Sequence, residues 1–217
     1  MLIHPWDAAS PDEWRGWLGT TAPFGQLAVT NRDATGPPIV IPTHAVIVPG
    51  ELLVHLARPN PAWSHIIAHP RVLFSVIGDD AYIPSNWRAK AGGPEEDGIP
   101  TSYYAAVQFT CDATIVDDPE EKAELLRTQL SHLQPAGGHA AVDVSDPPYG
   151  RLLPGLQGLR LRILDVVAKF KYDDHNPVEH RRAVIERLRA RQGPHDAGAA
   201  TQQARRLAER GEWAARD

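Results

Sequence analysis

The sequence predicts an α+β, mainly β chain, with about six antiparallel strands forming a barrel or curled sheet and helices at the connections. Three observations carry that prediction. Over residues 103–116 apolar and polar side chains alternate. Ala105, Val107, Phe109, Cys111, Ala113 and Ile115 form one face, with Gln108, Thr110, Asp112 and Thr114 opposite. Ile39–Val48 and Leu52–Arg58 flank Pro49-Gly50, a tight-turn pair that makes them an antiparallel hairpin. In the strand over 158–172 the alternation changes phase. Leu159, Leu161 and Ile163 are apolar at odd positions, and Leu164, Val166, Ala168 and Phe170 at even ones. A bulge near Leu164 would explain the slip and bend the strand, as closure of a small barrel requires.

The other elements follow in order. Ser10-Pro11-Asp12-Glu13 supplies a capping oxygen, a proline for the first helical position and a glutamate three residues after the cap. A helix over 10–19 follows, with Trp14, Trp17 and Leu18 on one face. Phe24–Thr30 is a strand, and Asn31–Gly36 a turn. Ile39–Val48 is a strand interrupted by Pro42. Pro61–His69 is a short helix with Asn60 as its cap. Arg71–Gly78 and Ala81–Ile83 are strand-like, and residues 88–99 form a charged, Gly/Pro-rich loop. Asp118-Pro119-Glu120-Glu121 opens a helix to Leu133 with Leu126, Leu130 and Leu133 inward. Residues 134–150 are a loop. Asn176-Pro177-Val178-Glu179 opens a helix ending near Gly193-Pro194. Residues 1–193 are expected as one domain and 194–217 as a helical tail, weakly apolar or frayed.

Composition narrows the class. A chain of 217 residues can bury a full core, and 42% apolar with 23% charged residues is ordinary for a globular protein. No run approaches the ~20 apolar residues of a membrane span. The N-terminal Met1–Asp7 lacks a basic region followed by an apolar stretch, so no secretory leader is expected. The single Cys111 excludes an intramolecular disulfide and fits a cytoplasmic location, as a buried inert thiol. The net charge of −5 and the lack of a recognition helix speak against DNA binding by the chain alone. The arginines from Arg181 to Arg191 are expected on a solvated helix face. No Gly-rich phosphate loop and no Gly-x-Ser-x-Gly elbow occurs. His65 and His69 have the spacing of two metal ligands, but no third ligand is evident, so a surface pair and no metal site is expected. His175 and His180 are expected in solvent.

Leu52–Trp63 gathers the most chemistry. The strand carries His55 with Leu53 and Ala57 on one face, and ends in Arg58-Pro59-Asn60-Pro61, where the prolines stop ladder pairing. Imidazole, guanidinium, amide and the Trp63 indole then stand at the mouth of one strand. That set suits a flat, anionic aromatic ligand. The same residues also fit a basic turn after an edge strand, with His55 satisfied inside the core.

This stretch resembles the His-x-Ala-Arg-x-Asn-Pro-x-Trp signature of the PaiB-like family of FMN-binding split-barrel proteins. Three further blocks match in order: Ala81–Trp87, Pro100–Tyr104 and Ala168–Tyr172. The second reads Pro-Ser-Asn-Trp-Arg where Ser-Pro-Ser-Trp-Tyr is usual, and the third has Ser102-Tyr103 where relatives often have Trp-Asn. The resemblance implies a six-stranded split barrel and a homodimer. It implies FMN as cofactor in an oxidoreductase acting on a small molecule. The implied cofactor residues are His55, Arg58, Asn60, Trp63, Thr43, His44, Tyr82, Ser85, Trp87, Thr101, Tyr103, Lys169 and Lys171. Several keep a second reading. Thr43-His44, placed in the hairpin partner of His55, hold a ribityl phosphate or face solvent. Tyr82, Trp87, Tyr103 and Tyr104 stack on a cofactor or pack a core. Lys169 and Lys171 meet a phosphate or solubilise their strand. The resemblance also allows haem b with His55 as axial ligand, in an enzyme forming nitrogen–nitrogen bonds or degrading haem. A third possibility is a regulator, since the family carries the label of negative transcriptional regulator.

Overall fold

Ser10 accepts the Glu13 amide at 3.1 Å, and the helix α1 (Pro11–Thr21) begins as its capping residues dictate. In this computed structural model, which describes residues 1–21, 23–89 and 93–213, Trp14, Trp17 and Leu18 of α1 are all buried. The chain continues through β1 (Phe24–Val29), β2 (Ile39–His44), β3 (Val46–Val48), β4 (Glu51–Ala57) and α2 (Ala62–Ala68). Next come β5 (Arg71–Ile83), α3 (Ser85–Arg88), β6 (Thr101–Val116), α4 (Pro119–Leu133) and α5 (Tyr149–Leu152). The last elements are β7 (Leu156–Lys171), α6 (Val178–Arg191) and α7 (Asp196–Arg210).

Among the described residues the sheet has seven strands, ordered β2-β1-β5-β6-β7-β4-β3, where about six were expected. The pairs β1–β2, β1–β5, β3–β4 and β4–β7 are antiparallel. The extra strand arises because Ile39–Val48 does not pair along its length with one partner. It pairs with β1 up to His44, turns at the fully buried Ala45, and pairs with β4 from Val46. Only Val46–Val48 form the expected hairpin with β4, around Gly50 at φ 80°. One bent segment thus supplies both end strands of the sheet. Pro42, which gives no ladder N–H, lies on the end strand β2 opposite Gln26.

The residues cluster into two compact units, 15–76 with 108–166, and 1–14 with 77–107 and 167–217. In the first, Leu27, Val29, Leu52, Val54, Phe109, Cys111, Leu159 and Leu161 are fully buried. Each such aliphatic side chain contributes on the order of 1.5–3 kcal/mol. Helix α4 begins at Asp118, whose Oδ1 accepts the Glu120 and Glu121 amides, each at 3.0 Å. Its buried stripe is Lys122, Leu125, Leu126 and Gln129. Leu133, expected inward, is 43% exposed, because it ends the helix beyond that stripe.

In the other unit, Ile83, Tyr103, Ala105, Phe170, Tyr172, Val184 and Leu188 are buried. The two strand-like stretches around Asp79 are one strand, β5. Asp79 takes φ 50° within it, and its carbonyl accepts the Tyr172 hydroxyl at 2.9 Å. The expected loop over 88–99 contains the end of α3 and a short 3₁₀ turn at Glu95–Asp97, while residues 90–92 lie outside the described residues. Asn176 makes no side-chain cap on α6; Asp173 accepts its backbone amide instead. On β7, Leu159 and Leu161 are buried, and further on Ala168, Lys169 and Phe170 are buried together, while Leu164, where the phase slip was expected, is 37% exposed.

Helix α7 lies in the stretch expected as a tail, of which 214–217 are outside the described residues. Arg206, fully buried, binds Asp174 at 2.7 Å, Glu13, and the Trp6 carbonyl at 2.8 Å. Arg181, expected in solvent, is fully buried too, with Asp174 at 3.0 Å and the Gly211 carbonyl at 2.9 Å. Two acidic partners inside the unit explain why these arginines are not surface charges. His180, also expected in solvent, is half-buried, and burial pushes its imidazole below the ordinary range.

Candidate functional site

The organising stretch is built by β4, its turn and α4. His55 pairs with Gly158 on β7. A Cβ on Gly158 would stand 2.8 Å from Leu125 Cδ1 and 3.2 Å from Val116 Cβ, so the glycine lets α4 come close to the sheet here. Leu125 packs against Leu53 and Val46. One helical turn on, the buried Gln129 donates through Nε2 to the Leu53 carbonyl at 3.0 Å, and its Oε1 lies 2.7 Å from His55 Nδ1. The imidazole of His55 is otherwise exposed.

Arg58 leaves β4 and turns back on its own unit. Its Nε donates to the Pro154 carbonyl at 2.6 Å, and its two terminal nitrogens meet both carboxylate oxygens of Asp117. Hydrogen bonding from Arg58, with help from Lys122 and Gln157, holds the Asp117 carboxyl down to about 2 against a smaller effect of burial. The buried Lys122 adds bonds to Leu153 O at 2.9 Å and Asp117 at 3.3 Å. Asn60 Oδ1 accepts the Ala62 amide at 3.0 Å, capping α2 as expected. The buried Trp63 donates its indole N–H to the Ala57 carbonyl at 3.0 Å. Thr43 and His44 lie on β2 opposite Gly25 and Phe24, not opposite His55, because of the bend at Ala45. The His44 ring meets the Phe24 ring edge-on at 4.8 Å. His65 Nδ1 accepts the Arg32 amide at 2.8 Å and His69 Nε2 donates to the Arg32 carbonyl at 3.0 Å. That pair clamps one backbone residue, and no cluster of three metal-ligating side chains occurs among the described residues.

The remaining expected residues belong to the other unit. Lys171 Nζ donates to Thr101 Oγ1 at 2.7 Å, and the ammonium groups of Lys169 and Lys171 lie 5.8 and 6.0 Å from the centre of the Tyr104 ring. Lys169 is buried, bonded to the Leu2 carbonyl at 2.8 Å and 3.6 Å from Asp7. Burial pushes the Asp7 carboxyl upward, more than Lys169 pulls it down. Tyr103 is fully buried; its hydroxyl donates to Asp173 at 3.2 Å and accepts from Gln203 at 3.1 Å. Burial, and then the Asp173 charge, push that phenol well above its ordinary range. Trp87 carries the Arg191 guanidinium 4.7 Å over its ring. Tyr82 is 59% exposed, and its carbonyl accepts from Arg191 at 2.9 Å. Ser85 opens α3, its carbonyl accepting the Ala89 amide at 3.1 Å.

These donor sets fit the anionic end of a flavin unequally. Every nitrogen of Arg58 already has a partner, and Lys169 is buried in its own bonds. Lys171 spends one N–H on Thr101 and keeps two, beside a hydroxyl and the Tyr104 ring. A cation, a hydroxyl and an aromatic face together suit phosphate and ring. Sequence reading passed over Asp117, Gly158 and Gln129. The signal for Gln129 was a polar residue four positions after Leu125 on an inward helical stripe.

Residues 3–165 match a family described as "Putative FMN-binding domain". The sporulation protein "Protease synthase and sporulation protein PAI 2" of Bacillus subtilis (strain 168) is 26% identical over 143 residues, covering 65% of this chain and 66% of that one, just under two thirds of its length. Among solved structures, the flavocytochrome Anf3 of Azotobacter vinelandii superposes with a TM-score of 0.59 at 18% identity, over 76% of this chain and 70% of that one. The FAD and haem binding protein of Mycobacterium smegmatis gives 0.56 at 17%, over 76% and 73%. These two establish likeness of fold. With the family model spanning most of its length, the chain belongs to the FMN-binding domain family.

Proposed function

We propose that this protein is an FMN-dependent oxidoreductase acting on a small molecule, and that it works as a homodimer. The observation that most supports the reading is the grouping of Lys171, Thr101 and Tyr104, which offers two uncommitted ammonium protons, a hydroxyl and an aromatic face in one place. Bound FMN supplies hydride and single-electron chemistry. The chain's own residues bind and orient: Lys171 and Thr101 hold the anionic end, and Tyr104 lies against a flat surface. The test is anaerobic mixing of the FMN-loaded protein with NADH or NADPH. Bleaching of the bound flavin faster than of free FMN supports the oxidoreductase reading. No acceleration with either donor overturns it. Sedimentation of the loaded protein tests the dimer.

A second reading, haem b with His55 as axial ligand, is favoured by the bond between His55 Nδ1 and Gln129, which leaves Nε2 free on the exposed edge of the ring. Haemin titration of the wild type and of His55→Ala separates the two. A Soret shift in the wild type alone supports haem ligation. Identical spectra overturn it.

A further inference from the structure

The geometry points to Gln129 as a positioning residue that fixes the tautomer of His55, so that Nε2 is presented as a bare electron pair to an electron-pair-accepting ligand. The Leu53 carbonyl can only accept. The Gln129 atom 3.0 Å from it is therefore the amide nitrogen, whatever assignment of the amide is assumed. The other amide atom is then oxygen, which also only accepts. It lies 2.7 Å from His55 Nδ1, so that nitrogen carries the hydrogen. A neutral imidazole protonated at Nδ1 has its lone pair at Nε2. Two rigid elements hold this arrangement. Gln129 is 4% exposed on the inward stripe of α4, and Gly158, which pairs with His55, permits the close approach of that helix.

The opposite tautomer would set the His55 lone pair against the Gln129 oxygen and lose the bond. The chemistry that matches the exposed Nε2 is a metal centre, such as haem iron, or a strong N–H donor. Metal-binding histidines are commonly steered in this way through their second nitrogen. The inference about Gln129 stands on His55 alone. Its extension to the ligand rests on the reading that His55 faces the cofactor.

The experiment uses the full chain without cofactor, labelled with ¹⁵N-histidine, at a pH well above the ordinary imidazole value of about 6.5. The His55 signals are assigned by their loss in His55→Asn. The wild type is expected as the Nδ1–H form. Gln129→Met, close in shape but without the acceptor, is expected to move the majority of His55 to the Nε2–H form. Gln129→Glu, which restores an acceptor, is expected to keep Nδ1–H. A wild-type ring in the Nε2–H form, or a tautomer unchanged in a folded Gln129→Met variant, overturns the assignment. Haemin titration of the same variants reads the ligand. A loss of about 10–100-fold in affinity for Gln129→Met supports the extension. A moved tautomer with unchanged haemin affinity contradicts haem at His55 and leaves the role of Gln129 standing.

Discussion

Arg58 and Asp117 meet at both terminal nitrogens and both carboxylate oxygens, while the third nitrogen of Arg58 holds the Pro154 carbonyl. The guanidinium is thereby turned onto its own unit and joins the end of β4 to the residue before the α4 cap. Asp117 lies at about 2 in the folded chain, below the ordinary carboxylate value of about 3.9. A depressed folded value gives stability that is present above about pH 4 and lost as pH falls through about 2. Both side chains are near half exposed, at 43% and 47%, so salt screens the pair. Arg58→Ala is expected to lower the urea midpoint at neutral pH by a small amount, with the gap to wild type closing at acid pH and in high salt. A gap that widens in acid would contradict this.

Lys171→Ala should weaken FMN binding by about 10-fold, the scale of one lost charge-assisted contact. Arg58→Ala should weaken it far less, since its donors are already paired. Titration of FMN fluorescence measures both. The reverse order would move the anion site to Arg58.

Much of the fold was legible because its signals are local. The caps at Ser10 and Asp118, the alternation through Phe109 and Cys111, and the Pro49-Gly50 turn all act within a few residues. The bend at Ala45 was not legible. Val40, Pro42 and His44 alternate as in one strand, and only the partner changes. Buried arginines mislead for a similar reason. Arg181 looks solvated although Asp174 lies only seven residues before it, and Arg206, in the stretch expected as a tail, meets Asp174 and Glu13 from 32 and 193 residues away. In the candidate site, His55 and Arg58 stood out by type. Their fixed partners Gln129 and Asp117 lie 74 and 59 residues further along the chain, so no spacing rule pairs them with His55 and Arg58.

Cys111 is fully buried, and burial, followed by the Asp112 charge, pushes its thiol up to about 12. The native protein should therefore resist thiol-modifying reagents at mildly alkaline pH, and react fully once unfolded. Rapid labelling of the folded chain would contradict that burial.

Arg206→Ala removes a buried cation from Asp174, which keeps Arg181, and from Glu13, which keeps Arg205 and Arg210, and should cost about 1.5–3 kcal/mol. Burial works to raise the Glu13 carboxyl, but Arg206, Arg205 and Arg210 outweigh it and hold it below the ordinary range. Its contribution is present above the unfolded value of about 4.3 and is lost as pH falls below it. Thermal unfolding of the variant should accordingly lose part of the acid sensitivity of the wild type. Removing α7 from Asp196 onward should destabilise the chain at least as much. An intact, stable truncation would show that the buried arginine is not an anchor.

The most direct test is to titrate the purified apoprotein with FMN, following flavin fluorescence and the visible spectrum together. Saturable quenching, a two-banded flavin spectrum on the protein, and recovery of intact FMN after unfolding are the expected results. A folded protein that leaves FMN fluorescence unchanged at every concentration, or that takes up haemin with a single intense Soret band and no flavin, would contradict FMN as its cofactor.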